Sequence, residues 1–186
     1  VTVGRVPLVS IGRRAETSKI TAAGFLERFT AVDSIVNTDI SVIGPFGQIG
    51  VVTEANLISG SIAASGPIGT VESTGGDVRA KVTTTTERGN VTLLKAARDL
   101  DVRTDISGTV EELVAGRHIG DRASPGVVVV RGNLKSATAG GQLYSDLRVG
   151  QSVTGGVKIG RVAALPGNNQ LGSGSIQALG HALAVA

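Results

Sequence analysis

One short motif recurs along the whole chain: Gly, any residue, an apolar residue, two variable residues and a second apolar residue. It reads Gly4-Val6-Val9, Gly24-Leu26-Phe29, Gly44-Phe46-Ile49, Gly66-Ile68-Val71 and Gly89-Val91-Leu94, then Gly108-Val110-Leu113, Gly132-Leu134-Ala137, Gly160-Val162-Leu165 and a weaker Gly180-Ala182-Val185. The glycines are separated by 20, 20, 22, 23, 19, 24, 28 and 20 residues. A fixed period of this length is the mark of a solenoid, in which each unit is too small to bury its own apolar face.

Two further apolar positions travel with each glycine. One is filled by Ile35, Leu57, Val78, Leu100, Ile119, Leu143 and Leu171, the other by Ile20, Ile40, Ile62, Val82, Ile106 and Ile176. Small or polar residues such as Thr74-Gly75-Gly76-Asp77 separate them. Each unit therefore offers three short apolar stretches and three bends, which predicts one coil of a parallel β-helix hydrogen-bonded to the coils on either side. The expected fold is all-β, a parallel β-helix of about eight to nine coils of about 22 residues. Residues 1–186 are expected to form one solenoid domain, with no cap expected at either end. Coils longer and less regular than strict hexapeptides favour the right-handed form. Ile49, Val71 and Leu94 should stand in one column.

The composition agrees where it bears on the fold. Only 2% of residues are aromatic, so Val, Ile, Leu and Ala must fill the core, and β-branched residues suit a stack of short strands. Gly accounts for 27 of 186 residues, which suits many tight bends through positive φ. A β-sandwich also uses short strands, but it favours Asn-Gly and Asp-Gly hairpins, and the chain contains neither dipeptide. With no Cys, disulfides are unavailable and the ladder and packing must hold the fold.

Three local patterns compete with the template. Phe25, Leu26, Phe29 and Val32 also fit a helical stripe, although Ile35 and Ile40 follow at the offsets of a coil. The long interval after Gly132, with Val149, Val153 and Val157, reads as a bulging loop. Gly126 to Arg131 holds four consecutive Val, predicting a strand buried on both faces or an exposed adhesive edge.

The chain resembles the β-strand-repeat regions of large bacterial cell-surface and adhesin-type proteins, in which runs like Gly60-Ser-Ile62, Gly69-Thr-Val71 and Gly76-Asp-Val78 also repeat. The resemblance covers essentially the whole chain and implies secretion to the cell surface or the extracellular space. It also implies an elongated shape and a structural or adhesive role, and it transfers no functional residues. Uncapped ends add the expectation of self-association, head to tail, into a filament.

Parallel β-helices also carry enzymes such as pectate lyases and polygalacturonases, which gather charged residues on one outer face. The alternative reading is therefore a carbohydrate-binding or polysaccharide-degrading protein, with a polar patch as its site. The patch comprises Arg98, Asp99, Asp101, Arg103 and Asp105 on one coil, and Arg117, His118, Asp121 and Arg122 on the next. Asp77, Arg79, Asp146 and Arg148 hold equivalent offsets on neighbouring coils. Alternating signs also suit a merely solvated face, where charges neutralise one another along the stack.

No catalytic, cofactor-binding or metal-binding motif is present. His118 and His181 fall in different coils without ligand spacing. Thr83 to Thr86 form a threonine run on one coil only and read as a solvated turn, not as a rank for binding ice. A net charge of +3 without basic runs or stacking aromatics does not suit nucleic acid, and no apolar run approaches the length of a membrane span.

Overall fold

In a computed structural model, residues 4–45, 47–124, 126–154, 157–159 and 176–178 are described. The chain forms a β-solenoid made of two parallel sheets, with each coil contributing to both and successive strands alternating between them. The first sheet runs from Arg5–Val6 and Val9–Ile11 through Phe25–Ala31, Gln48–Glu54, Ile68–Ser73, Val91–Ala96, Val110–Ala115 and Leu134–Ala139 to Val157–Ile159. The second contains Ser34–Val42, Leu57–Ala64, Asp77–Thr84 and Arg103–Ile106 among its strands. The three apolar stretches per coil do not make three sheets. Ile35 and Ile40 share the single strand Ser34–Val42; in later coils the stretch shrinks to isolated bridges joining Val78, Leu100, Ile119 and Leu143.

Parallel register puts like residues on top of one another. Leu26, Ile49, Ile68, Val91, Val110 and Leu134 form one inward column, with Val153 bridged to Leu134. Phe29, Val52, Val71, Leu94, Leu113, Ala137 and Val157 form the next. The expected column of Ile49, Val71 and Leu94 is thus corrected by one motif: Val52 stacks with Val71 and Leu94, while Ile49 belongs beside Ile68. Two copies of the motif overlap here, because Gly47-Ile49-Val52 fits it as well as Gly44-Phe46-Ile49. The ladder selects the later frame. A similar one-residue shift places Ile58, not Leu57, in the column between Ile35 and Val78. Ile106 pairs with Val130, and Thr104 fills the position between Val82 and Val128.

Coil length alternates. Along the first column the steps from Leu26 to Val153 are 23, 19, 23, 19, 24 and 19 residues. The extra residues sit at corners: Ile40 to Ile49 and Val82 to Val91 each span nine residues, where Ile62 to Ile68 spans six. Asparagines follow the same two-coil rhythm. Asn90 Oδ1 accepts the N–H of Thr109, and Asn133 Oδ1 that of Ser152.

The competing local patterns resolve within this frame. Phe25–Ala31 is a strand, and Val32, which a helical stripe would bury, is exposed. The stretch after Val149 is not a bulge. Gln151 N–H binds the carbonyl of Gly132, and Val157–Ile159 pairs with the strand of Ala137, so a new coil starts before Gly160. The motifs at Gly160 and Gly180, with Phe46, Leu171 and His181, lie outside the described residues. The four valines alternate between buried and half-buried, and their strand is paired on both sides, which leaves no free edge. Thr84 is buried, not solvated; its hydroxyl donates to Gly89 O at 2.6 Å and accepts from Ser107 N.

Positive φ explains fewer glycines than expected. Gly44, with φ 120°, is the template glycine that needs it. Crowding explains Gly24, where a Cβ would stand 2.1 Å from the carbonyl oxygen of Gly4 in the adjacent coil. Coils stacked at about 4.8 Å leave no room for a side chain directed along the stack.

Among the described residues, Glu54 is a charged side chain in an inward column. Glu54 occupies the column that continues through Ser73, Ala96, Ala115 and Ala139, and is buried. Its Oε2 accepts the N–H groups of Asn56 and Leu57, which turns the chain between the sheets, while Oε1 is buried without a well-formed hydrogen bond. Burial pushes its carboxyl above the ordinary value of 4.5, against the opposing pull of Ser73 and the two N–H groups. The folded chain therefore keeps this proton to higher pH than the unfolded chain, and stability falls as pH rises from 4.5 through the raised value. Glu54→Gln keeps an acceptor and removes the titration. Its melting temperature relative to the unaltered protein is expected to rise as pH is raised from 4.5 to 7; a constant difference in calorimetry would count against a buried, protonating Glu54. Leu94→Ala should lower unfolding stability by about 2–5 kcal/mol in urea titrations, because a fully buried rung is removed from a column that cannot collapse.

Candidate functional site

Outward positions stack as strictly as inward ones. The bridges through Val78, Leu100, Ile119 and Leu143 align two outward columns on one corner. The first holds Asp77, Asp99, His118 and Gln142. The second holds Arg79, Asp101, Gly120 and Tyr144.

The first column is a side-chain ladder. Asp77 Oδ1 accepts the N–H of Asp99, Asp99 Oδ1 that of His118, and His118 Nδ1 that of Gln142 at 2.9 Å. Acceptance at Nδ1 fixes the ring proton on Nε2. Asp99 is further occupied by Arg117, through both Nε and a terminal nitrogen.

The second column has a gap. Gly120 adopts φ 90°, and a Cβ there would meet Ser145 Oγ at 2.3 Å, so no side chain can stand between Asp101 and Tyr144. The chain then makes a detour: Ile119 to Val128 takes nine residues, where Leu100 to Thr104 and Leu143 to Leu147 each take four. Asp121 and Arg122 stand on this detour, and Asp121 holds its bend by accepting the N–H of Ala123. Gap and detour together enclose a notch of about 220 Å³. Its floor is Gly120, and its walls are Asp101, His118, Asp121, Arg122 and Tyr144, with Arg79 at its edge. The Tyr144 and His118 rings lie 5.3 Å apart with a 55° tilt, and Tyr144 donates its hydroxyl proton to Gln142.

Burial, then repulsion from Asp121, raises the Asp101 carboxyl above its ordinary value, while Arg79 and Arg103 oppose the shift. Ser145 Oγ, beneath the floor, is buried without a partner. It flanks Gly126 together with Asp101 Oδ1, the two oxygens lying 3.4 and 3.5 Å from where a Gly126 Cβ would be.

Of the patch residues read from the sequence, Asp99, Asp101, His118, Asp121, Arg122 and Arg79 meet at the notch. The others go elsewhere. Arg98 turns toward Asp77 at 3.8 Å, Arg117 binds Asp99, and Arg103 lies exposed on its strand. Asp105 and Arg131 form a two-bond pair on the second sheet, which holds Asp105 below its usual range. Arg148 lies 3.7 Å from Asp146. Sequence reading missed Tyr144 and the opening role of Gly120. The signal available was the extra length between Ile119 and Val128. Among the described residues no group of three His, Cys, Asp or Glu side chains could hold a metal ion. No known family model matches the chain, and no curated protein or solved structure does.

His118→Phe preserves the ring but leaves the Gln142 N–H without its acceptor, so unfolding stability should fall by about 1 kcal/mol. In the unaltered protein, ¹⁵N spectra should show the proton on Nε2; a proton on Nδ1 at neutral pH would refute the ladder.

Proposed function

We propose that the chain is a structural and adhesive segment of an extracellular or cell-surface rod. The observation that carries this reading is the use of surface charge. Glu27 binds Arg5 at 2.8 Å, Glu72 binds Lys95 at 2.8 Å, Glu111 binds Lys135 at 2.7 Å and Asp105 binds Arg131, each pair joining adjacent coils. Exposed pairs contribute little singly, but a series of them along both sheets ties each coil to the next where backbone hydrogen bonds already do so. Such a surface suits a load carried along the stack. The same logic favours end-to-end association, because a further coil of the same kind continues every column and ladder.

The expected result is end-to-end particles in electron microscopy that lengthen with protein concentration, in steps of about 40 Å for some eight coils at about 4.8 Å each. Particles that stay one chain long at every concentration would overturn the filament. Substituting Lys95 and Lys135 with Glu, which sets like charges opposite Glu72 and Glu111, should lower stability more in low salt than in 1 M salt, as screening removes the repulsion.

A further inference from the structure

The notch at Gly120 differs from the rest of the surface. On both sheets outward charges such as Glu72 with Lys95 and Asp105 with Arg131 answer one another between coils, whereas here a column is interrupted and charged groups line an empty space. We propose that this notch binds a single neutral sugar unit of a saccharide, with Asp101 and Asp121 accepting its hydroxyl protons and Arg122 donating to its oxygens. The inference deepens the adhesive part of the proposed function and rests on it.

Four observations support the assignment. First, size: about 220 Å³ is below the ~300–1,000 Å³ of drug-sized pockets and suits one ring. Second, charge: Arg117 binds Asp99, and Arg79 at 3.0 Å and Arg98 at 3.8 Å both approach Asp77, so with Arg122, Asp101 and Asp121 the corner sets four guanidiniums against four carboxyl groups. That balance gives no strong preference for an anion or a cation. Third, the mixture of acceptors and donors matches hydroxyl groups, which do both. Fourth, Tyr144 and His118 present tilted rings at one wall, a surface for the C–H face of a sugar, and His118 has its Nε2 proton free for donation because Nδ1 is already bonded. Beneath the floor, the unpartnered hydroxyl of Ser145 is a further sign that the hydrogen bonding of this corner is incomplete.

The wall also makes the site separable from the fold. Asp121 and Arg122 are exposed on the detour and pack against no inward column, so Arg122→Ala should leave the melting temperature unchanged. The experiment is an NMR titration of the full chain with glucose, galactose, mannose and N-acetylglucosamine, alongside glucuronate and glucosamine. Expected are saturable shifts of Gly120, Asp121 and Tyr144 with at least one neutral sugar, weakened at least tenfold by Arg122→Ala and by Asp101→Asn, and untouched by Lys135→Ala on the other sheet. Absence of saturable shifts with every neutral sugar, shifts that map elsewhere, or unchanged affinity in both notch variants would each overturn the site. Tenfold tighter binding of glucuronate or glucosamine would overturn its neutral character. The electron microscopy above decides the rod independently: rods without sugar binding refute this inference alone, and sugar binding by a strict monomer refutes the filament alone.

Discussion

A parallel coil cannot satisfy its own backbone. Its N–H and C=O groups point along the stack, so each strand finds its partners only in the coils on either side. Everything else about this protein follows from that dependence. Because pairing is parallel and in register, a residue meets its counterpart one coil away, and each column must be internally compatible: mostly apolar with apolar inside, and outside groups that can pair or hydrogen-bond from coil to coil. Leu26 to Leu134 and Glu72 with Lys95 are the same rule on opposite faces of one sheet.

The interior shows how narrow the compatible choices are. The column of Glu54, Ser73, Ala96, Ala115 and Ala139 is small because it lies where the chain turns between sheets. A carboxylate is accepted there because it supplies the acceptors that two turn N–H groups need, and the burial that raises its proton affinity is the opposing effect. Glycine at Gly24 answers a different pressure, the carbonyl of the coil beneath it. Bending and stacking thus select the same residue type for separate reasons.

The stacking rule also explains how a site arises on such a surface. Removing one side chain from an outward column leaves a gap two inter-strand spacings wide, about 10 Å, with a ready-made wall on each side. Gly120 does this, and the long detour to Val128 adds a third wall. Much of this patch was legible in the sequence, since Asp99 and His118 lie at the same offset from the repeat and Asp101 and Asp121 within one residue of each other's. Which charges face one another was not. Arg98 and Arg117 are spent on Asp77 and Asp99, and side-chain direction at a corner depends on the local bend, which spacing does not encode.

By itself, the sequence determined the class of fold, the coil as its unit and the apolar positions that face inward, because a recurring burial problem leaves a periodic trace in residue type. The frame of each coil was decided only in three dimensions. Gly44-Phe46-Ile49 and Gly47-Ile49-Val52 are equally good copies of the motif, and the start of a new coil before Gly160 carries no template glycine. Hydrogen bonding to the neighbouring coil chose between them, since a frame that pairs one strand well must also close both corners and meet the next sheet in register. That condition couples residues some twenty positions apart, and no local pattern contains it.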